Sequence, residues 1–234
     1  GLTGSLAATG AGAARPLDAA ELCEVVRVAY NPGIATLVDE AHSAGEATGL
    51  DWSDVGPVAA EAEWEGYRHD DAYSVTWSMT TAPRGNVQSS VLARLLAPHR
   101  EVARKRVTLL YRPIDAAKAA AIVESDLRSA QFVATSTTRP SARAVLATRS
   151  AAATAQEEAS GAGLVNFGML VTATVLDVDR VAEAKAAIDN LAATARLRLR
   201  PVYGAQASAF AAALPLGLIL PKHLKVPAAM RERL

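Results

Sequence analysis

Cysteine, aromatic side chains and an excess charge of either sign are almost missing from this chain, and each shortage removes a class of explanation. One cysteine, Cys23, among 234 residues leaves no disulfide framework and no thiolate metal site. Lying among apolar residues of an expected helix, Cys23 reads as an inert core thiol. Aromatics make up 5% of the residues, and alanine fills much of the apolar quota, so cohesion must come from many small contacts. Lys+Arg and Asp+Glu are equal at 24 each, so no global field draws the chain onto nucleic acid or an anionic membrane. Long hydrophobic runs are missing too. The uncharged stretches 161–176 and 202–221 are short of, or interrupted within, the ~20 apolar residues a spanning helix needs; the first is strand-like and the second contains Pro215. The first residue is Gly1 rather than Met, which predicts a fragment of a longer chain.

The sequence also lacks the motifs of catalysis. A phosphate-binding loop needs a glycine-rich turn ending in Gly-Lys, and no Gly-Lys pair occurs. Gly161-Ala162-Gly163 opens toward a strand, the wrong context for a dinucleotide fingerprint. No Gly-x-Ser-x-Gly elbow occurs. The histidines, His42, His69, His99 and His223, are not spaced as metal-ligand pairs. The one dense cluster, His69-Asp70-Asp71, reads as a solvated hairpin turn, and Glu61, Glu63 and Glu65 read as a solubilising strand edge. No catalytic residue, cofactor or metal is expected, and the chain is expected not to be an enzyme.

Half of the residues are hydrophobic and 21% are charged, the balance of a folded domain. Residues 1–17 predict a flexible lead-in. Asp18 and Glu21 fit a capping box ahead of an apolar stripe of Leu22, Val25, Val26 and Ala29, and Asn31-Pro32-Gly33 ends that helix. Alternation over 60–67 and 73–79 predicts a hairpin with Trp64, Val75 and Trp77 inward and Glu61, Glu63, Ser74 and Thr76 outward. Further expectations are a helix over 87–97, a strand over 107–111 stopped by Pro113, a long helix capped by Asp115, a second from about Ser141 to Ser160, and a strand within 164–176. A helix after Asp177 or Asp179, a strand over 197–203 and a short helix over 205–214 complete the pattern. The fold class is α+β: a mixed or antiparallel sheet covered on one face by helices, with ferredoxin-like elements plus a β-hairpin. The organisation reads as one domain over 18–220, with a candidate subdivision near 98, and an extended tail over 221–234.

The residues most suited to contact are basic and apolar. Arg100, Arg104, Lys105 and Arg106 cluster behind Arg94 and His99, and Arg139, Arg143 and Arg149 form a second group. These charges could meet phosphate, though no interleaved aromatics offer a stacking platform. Leu216, Leu218 and Ile219 lie in a proline-punctuated segment that cannot complete a long helix. Three readings follow: a docking scaffold, a nucleic-acid-binding module using Arg100 to Arg106, and a ligand-binding or enzymatic domain with a pocket under the Trp64 and Trp77 hairpin.

Three segments carry a family resemblance: LCEVVRVAYNP (22–32), RKRVTLLYRP (104–113) and AFAAALPLG (209–217). They resemble actinobacterial proteins of conjugative elements, in which a short transmembrane segment similar to a PrgI-type inner-membrane subunit precedes a long soluble region. That region is similar to the N-terminal, non-motor part of the conjugation ATPases of type IV secretion systems. The resemblance covers about residues 18–220 and stops before the Walker motor, so it implies neither ATP hydrolysis nor any catalytic residue. It implies a non-catalytic scaffold at the cytoplasmic face of the inner membrane. The implied partner is a conjugation ATPase or another machine subunit, with Arg104, Lys105, Arg106, Leu216, Leu218 and Ile219 as candidate contacts. Nucleic acid would be touched weakly, and the membrane only through a segment outside this chain.

Overall fold

A computed structural model describes residues 13–82, 88–136 and 138–218. The first helix, α1 (Ala19–Tyr30), starts on the expected capping box: the Asp18 carboxylate accepts from Glu21 N–H at 2.8 Å, and the Glu21 carboxylate accepts from Asp18 N–H at 2.9 Å. Asn31 closes the helix, and its side chain accepts from Gly33 N–H at 3.1 Å. A 3-10 turn, Pro32–Ile34, leads into α2 (Ala35–Ala44), which ends at Gly45 in the left-handed conformation. Three strands follow: β1 (Ala60–Ala62), β2 (Tyr67–His69) and β3 (Ala72–Thr81). A 3-10 turn over Ser89–Leu92 and the short α3 (Ala93–Leu96) precede β4 (Arg104–Pro113). The helix α4 (Ala116–Thr135) is capped by Asp115, as expected, and α5 (Ala142–Ala159) starts on a Ser141 cap. Then come β5 (Val165–Val175), α6 (Val181–Thr194), β6 (Arg198–Pro201) and α7 (Gln206–Ala212).

The fold is α+β. The sheet order is β1-β2-β3-β5-β4, with β6 also paired to β3. Along one edge β3 pairs first with β2 (Tyr67↔Ser74) and then with β6 (Trp77↔Pro201); along the other it pairs with β5 (Ser74↔Thr174, Thr76↔Thr172); all are antiparallel. Without β1 and β2, the order β6-β3-β5-β4 with a helical connection after β3 and after β5 is the ferredoxin-like arrangement.

The chain divides into two compact units: residues 1–108 with 169–234, and residues 109–168. These boundaries lie at 109 and 168, where the sequence suggested a subdivision near 98. The tail over 221–234 lies outside the described residues, as does most of the lead-in.

In the larger unit the sheet is covered on both faces, not on one as the alternation suggested. On one face Val75, Trp77, Val171 and Ala173 pack with Ala184, Ile188 and Ala192 of α6 and with Leu95 of α3. On the other, Cys23 and Val26 of α1, Tyr67 of β2, and Phe210 and Leu214 form a second cluster. Two expectations are corrected as a result. Ser74 and Thr76, expected outward, are fully buried, because β3 is an interior strand whose second face meets α1 and α7 instead of water. Trp64, expected inward, is 69% exposed. β1 ends at Ala62, so the alternation no longer governs Trp64, whose ring stacks on Tyr203 at 6.2 Å. Gly204 must stay glycine there: its φ is +70°, and a Cβ would sit 2.6 Å from the indole.

The smaller unit is a helical hairpin. Ala119 and Val123 of α4 and Ala144 of α5 are its buried contacts, and the Thr148 hydroxyl donates to Ala130 C=O at 3.1 Å. Small side chains at the seam let the helices approach closely, at little apolar burial per residue.

Candidate functional site

The two interior strands carry Ser74-x-Thr76 and Thr172-x-Thr174 on the face toward α1 and α7, and their hydroxyls pair across the strands. Ser74 Oγ and Thr174 Oγ1 are 2.7 Å apart, and Thr76 Oγ1 and Thr172 Oγ1 are 3.0 Å apart. His69 extends the row: Nε2 lies 2.7 Å from Ser74 Oγ, and Nδ1 lies 2.5 Å from Tyr30 C=O. A carbonyl can only accept, so Nδ1 carries the proton and Nε2 of the neutral ring accepts from Ser74. Burial holds the His69 pKa below its ordinary value. His69 is thus a fully buried strand residue; the turn consists of Asp70, at φ 47° with its carboxylate largely buried, and the exposed Asp71.

Beside this row is a cavity of about 330 Å³. Its helical wall is Glu24, Val25, Val28 and Ala29 of α1 with Val38 and His42 of α2; its strand wall is Arg104 to Arg106 of β4 and Thr172 and Thr174 of β5. Glu24 is buried, yet both its oxygens are occupied: one accepts from the Thr48 hydroxyl at 2.7 Å, and the other lies 3.0 Å from His42 Nε2.

Arg106 is the unusual residue of this site. Burial pulls its pKa down to about 10, with neighbouring Arg104 lowering it further. The guanidinium carbon lies 4.9 Å over the Phe210 ring. Its Nη1 is sealed from solvent, and no acceptor meets it among the described residues. Buried guanidinium groups are ordinarily paired, because an unmet donor keeps its full desolvation cost.

The pleat divides the basic cluster read from the sequence. Arg104 and Arg106, two residues apart, share the cavity face. Lys105 between them also borders the cavity, but its Nζ is engaged elsewhere, donating to Ala97 C=O at 2.5 Å. Arg100 pairs with Glu101 at 2.7 Å, and Arg180 meets the same carboxylate at 2.6 Å. Arg139, Arg143 and Arg149 are exposed on the helical hairpin. Leu216 is half-buried against the Phe210 cluster and Leu218 is half-buried, while Ile219 lies outside the described residues. Beneath the hairpin, the space beside Val75 and Trp77 has about 0 Å³ of room for water.

Sequence reasoning passed over Glu24, His42, Thr172 and Thr174. A signal was present: β3 and β5 carry no charged residue at all, whereas a strand with a wet face usually does. No group of His, Cys, Asp and Glu suited to a metal ion occurs among the described residues. No family model, no curated protein and no solved structure matches this chain.

Proposed function

We propose that this chain is a non-catalytic docking domain of a conjugative type IV secretion machine, working at the cytoplasmic face of the inner membrane. The observation that carries the docking reading is the surface of the helical-hairpin unit. Of the nineteen exposed large apolar side chains among the described residues, nine lie within 109–168. Tyr111, Phe132 and Leu146 are 66%, 74% and 62% exposed. A concentration of exposed apolar groups marks an interaction surface more often than it marks solvent-facing decoration. The family resemblance supplies the context and names the partner: a conjugation ATPase or another subunit of the machine.

The test is retention of the purified chain by a conjugation ATPase of a type IV secretion system. Wild type is expected to be retained, and the triple variant Tyr111→Ser, Phe132→Ser, Phe167→Ser is expected to be lost with its thermal melt unchanged. Equal retention of both, or of neither, overturns the reading.

A second reading has its own observation. Arg128, Arg139, Arg143 and Arg149 are exposed, and no acidic residue lies between Asp126 and Glu157. This unbalanced stretch suits phosphate contact better than Arg100 to Arg106, whose charges the fold divides. DNA retention that falls steeply with salt and is lost when these four arginines become glutamine would favour a nucleic-acid module.

A further inference from the structure

We propose that the cavity between α1, α2 and the β4–β5 strands is a binding site for a small organic carboxylate with an apolar body, with the Arg106 guanidinium as its counter-charge. The argument starts from an unmet donor. Arg106 Nη1 is buried without an acceptor among the described residues, in a group already stacked on Phe210. Glu24 does not answer it: that carboxylate is engaged by Thr48 and His42. The Ser and Thr hydroxyls of the strand face are committed to one another, Ser74 to Thr174 and Thr76 to Thr172. Nothing described on the strand wall offers Arg106 a free negative charge, and the cavity it lines has about 330 Å³ of room, within the range of small-ligand pockets.

The ligand class follows from the walls. A planar guanidinium matches a carboxylate through two parallel N–H···O bonds. Val25, Val28, Ala29 and Val38 give the remaining volume an apolar lining, which selects a ligand with a hydrocarbon or aromatic body. Glu24 on the same wall disfavours a multiply charged anion such as a phosphate ester. Arg104, exposed on the same strand face, supplies a second positive charge near the opening and speeds the approach of an anion.

The experiment titrates the whole chain with hexanoate, benzoate and, as a control, inorganic phosphate, and follows backbone amide and arginine side-chain NMR signals. Hexanoate or benzoate is expected to move the amides of Val25, Ala29, Val38 and Thr172 together with the Arg106 guanidinium signal, whereas phosphate leaves them in place. Arg106→Met keeps an apolar stem but no charge and should weaken binding roughly tenfold to a hundredfold, the worth of a charge-assisted hydrogen-bonded pair. Val38→Trp fills the cavity from the opposite wall and should abolish binding while Arg106 remains. Because the wild-type guanidinium signal is read directly, the proposal stands or falls even if a variant does not fold. Unmoved signals, movement with phosphate equal to that with the carboxylates, or full binding by a folded Arg106→Met protein would overturn it. ATPase retention is a separate readout, so failure here leaves the docking reading where it stood.

Discussion

Gln206 clasps the backbone of Thr76 at two points: its Oε1 accepts from Thr76 N–H at 2.8 Å, and its Nε2 donates to Thr76 C=O at 3.2 Å. The clasp fills a gap in the sheet. Along this edge of β3, pairing with β2 ends at Ser74 and pairing with β6 begins at Trp77. One turn of α7 thus does what a strand would do. The carbonyl has a second donor, Val202 N–H at 2.9 Å, but the Thr76 N–H has Gln206 Oε1 as its one acceptor among the described residues. Gln206→Leu should therefore orphan one buried N–H and cost about 1–3 kcal/mol, read from urea melts. Gln206→Glu loses the donor and buries a charge, so it should be the more damaging at neutral pH and recover on mild acidification. A Gln206→Leu loss below about 0.5 kcal/mol would mean that the clasp is dispensable.

Asp70 should be the costliest turn residue to replace. Its carboxylate accepts from Val58 N–H at 2.7 Å and Ala59 N–H at 3.1 Å and pairs with Arg27 Nη1 at 2.9 Å. Both partners of the pair are largely buried. Removing one member of such a pair strands the other, so Asp70→Ala is expected to cost about 3–5 kcal/mol. The double variant with Arg27→Met should lose clearly less than the sum of the single changes, and strict additivity would show that the two do not interact.

The two hairpin tryptophans should behave as opposites. Trp77 is 1% exposed in the main core, and Trp77→Ala should cost about 3–5 kcal/mol. Trp64→Ala removes an exposed ring stacked on Tyr203 and should cost less than about 1 kcal/mol. Comparable losses in denaturant melts would mean that Trp64 is buried in solution.

His69 should make folding acid-sensitive. Burial lowers its folded pKa, so the unfolded chain binds the proton first, near pH ~6.5. The contribution is therefore complete above that pH and is lost as the pH falls below it. Wild-type stability should drop more steeply between about pH 7 and pH 5 than that of His69→Asn, whose side chain does not titrate. Parallel pH profiles would rule out His69 as the source.

Much of the fold was legible because its signals are local. Asp18 with Glu21, Asp115 and Ser141 each start a helix through a side-chain oxygen that accepts from the backbone two or three residues on. Pro113 ends β4, and the succession of strands and helices pointed to ferredoxin-like elements, while a mixed or an antiparallel sheet stayed open until the pairing was seen. The candidate site was less legible. Arg104, Lys105 and Arg106 are adjacent in sequence, and adjacency on a strand means opposite faces; the Arg106 guanidinium borders the cavity while the Lys105 ammonium reaches Ala97.

What no stretch of sequence could decide is how many faces of the sheet would be covered. The alternation of Tyr73, Val75 and Trp77 with Ser74 and Thr76 is consistent with water or with protein on the hydroxyl side. The outcome depends on α1 and α7, which come from opposite ends of the chain and meet over the same strand face. Once they exclude water, each hydroxyl must find a partner on the neighbouring strand, and the register Ser74↔Thr174 and Thr76↔Thr172 supplies one. Local capping and periodicity therefore set where the elements begin and end. Long-range packing turned a face that reads as wet into a buried hydrogen-bonded row, and left Arg106 beside it without a partner among the described residues.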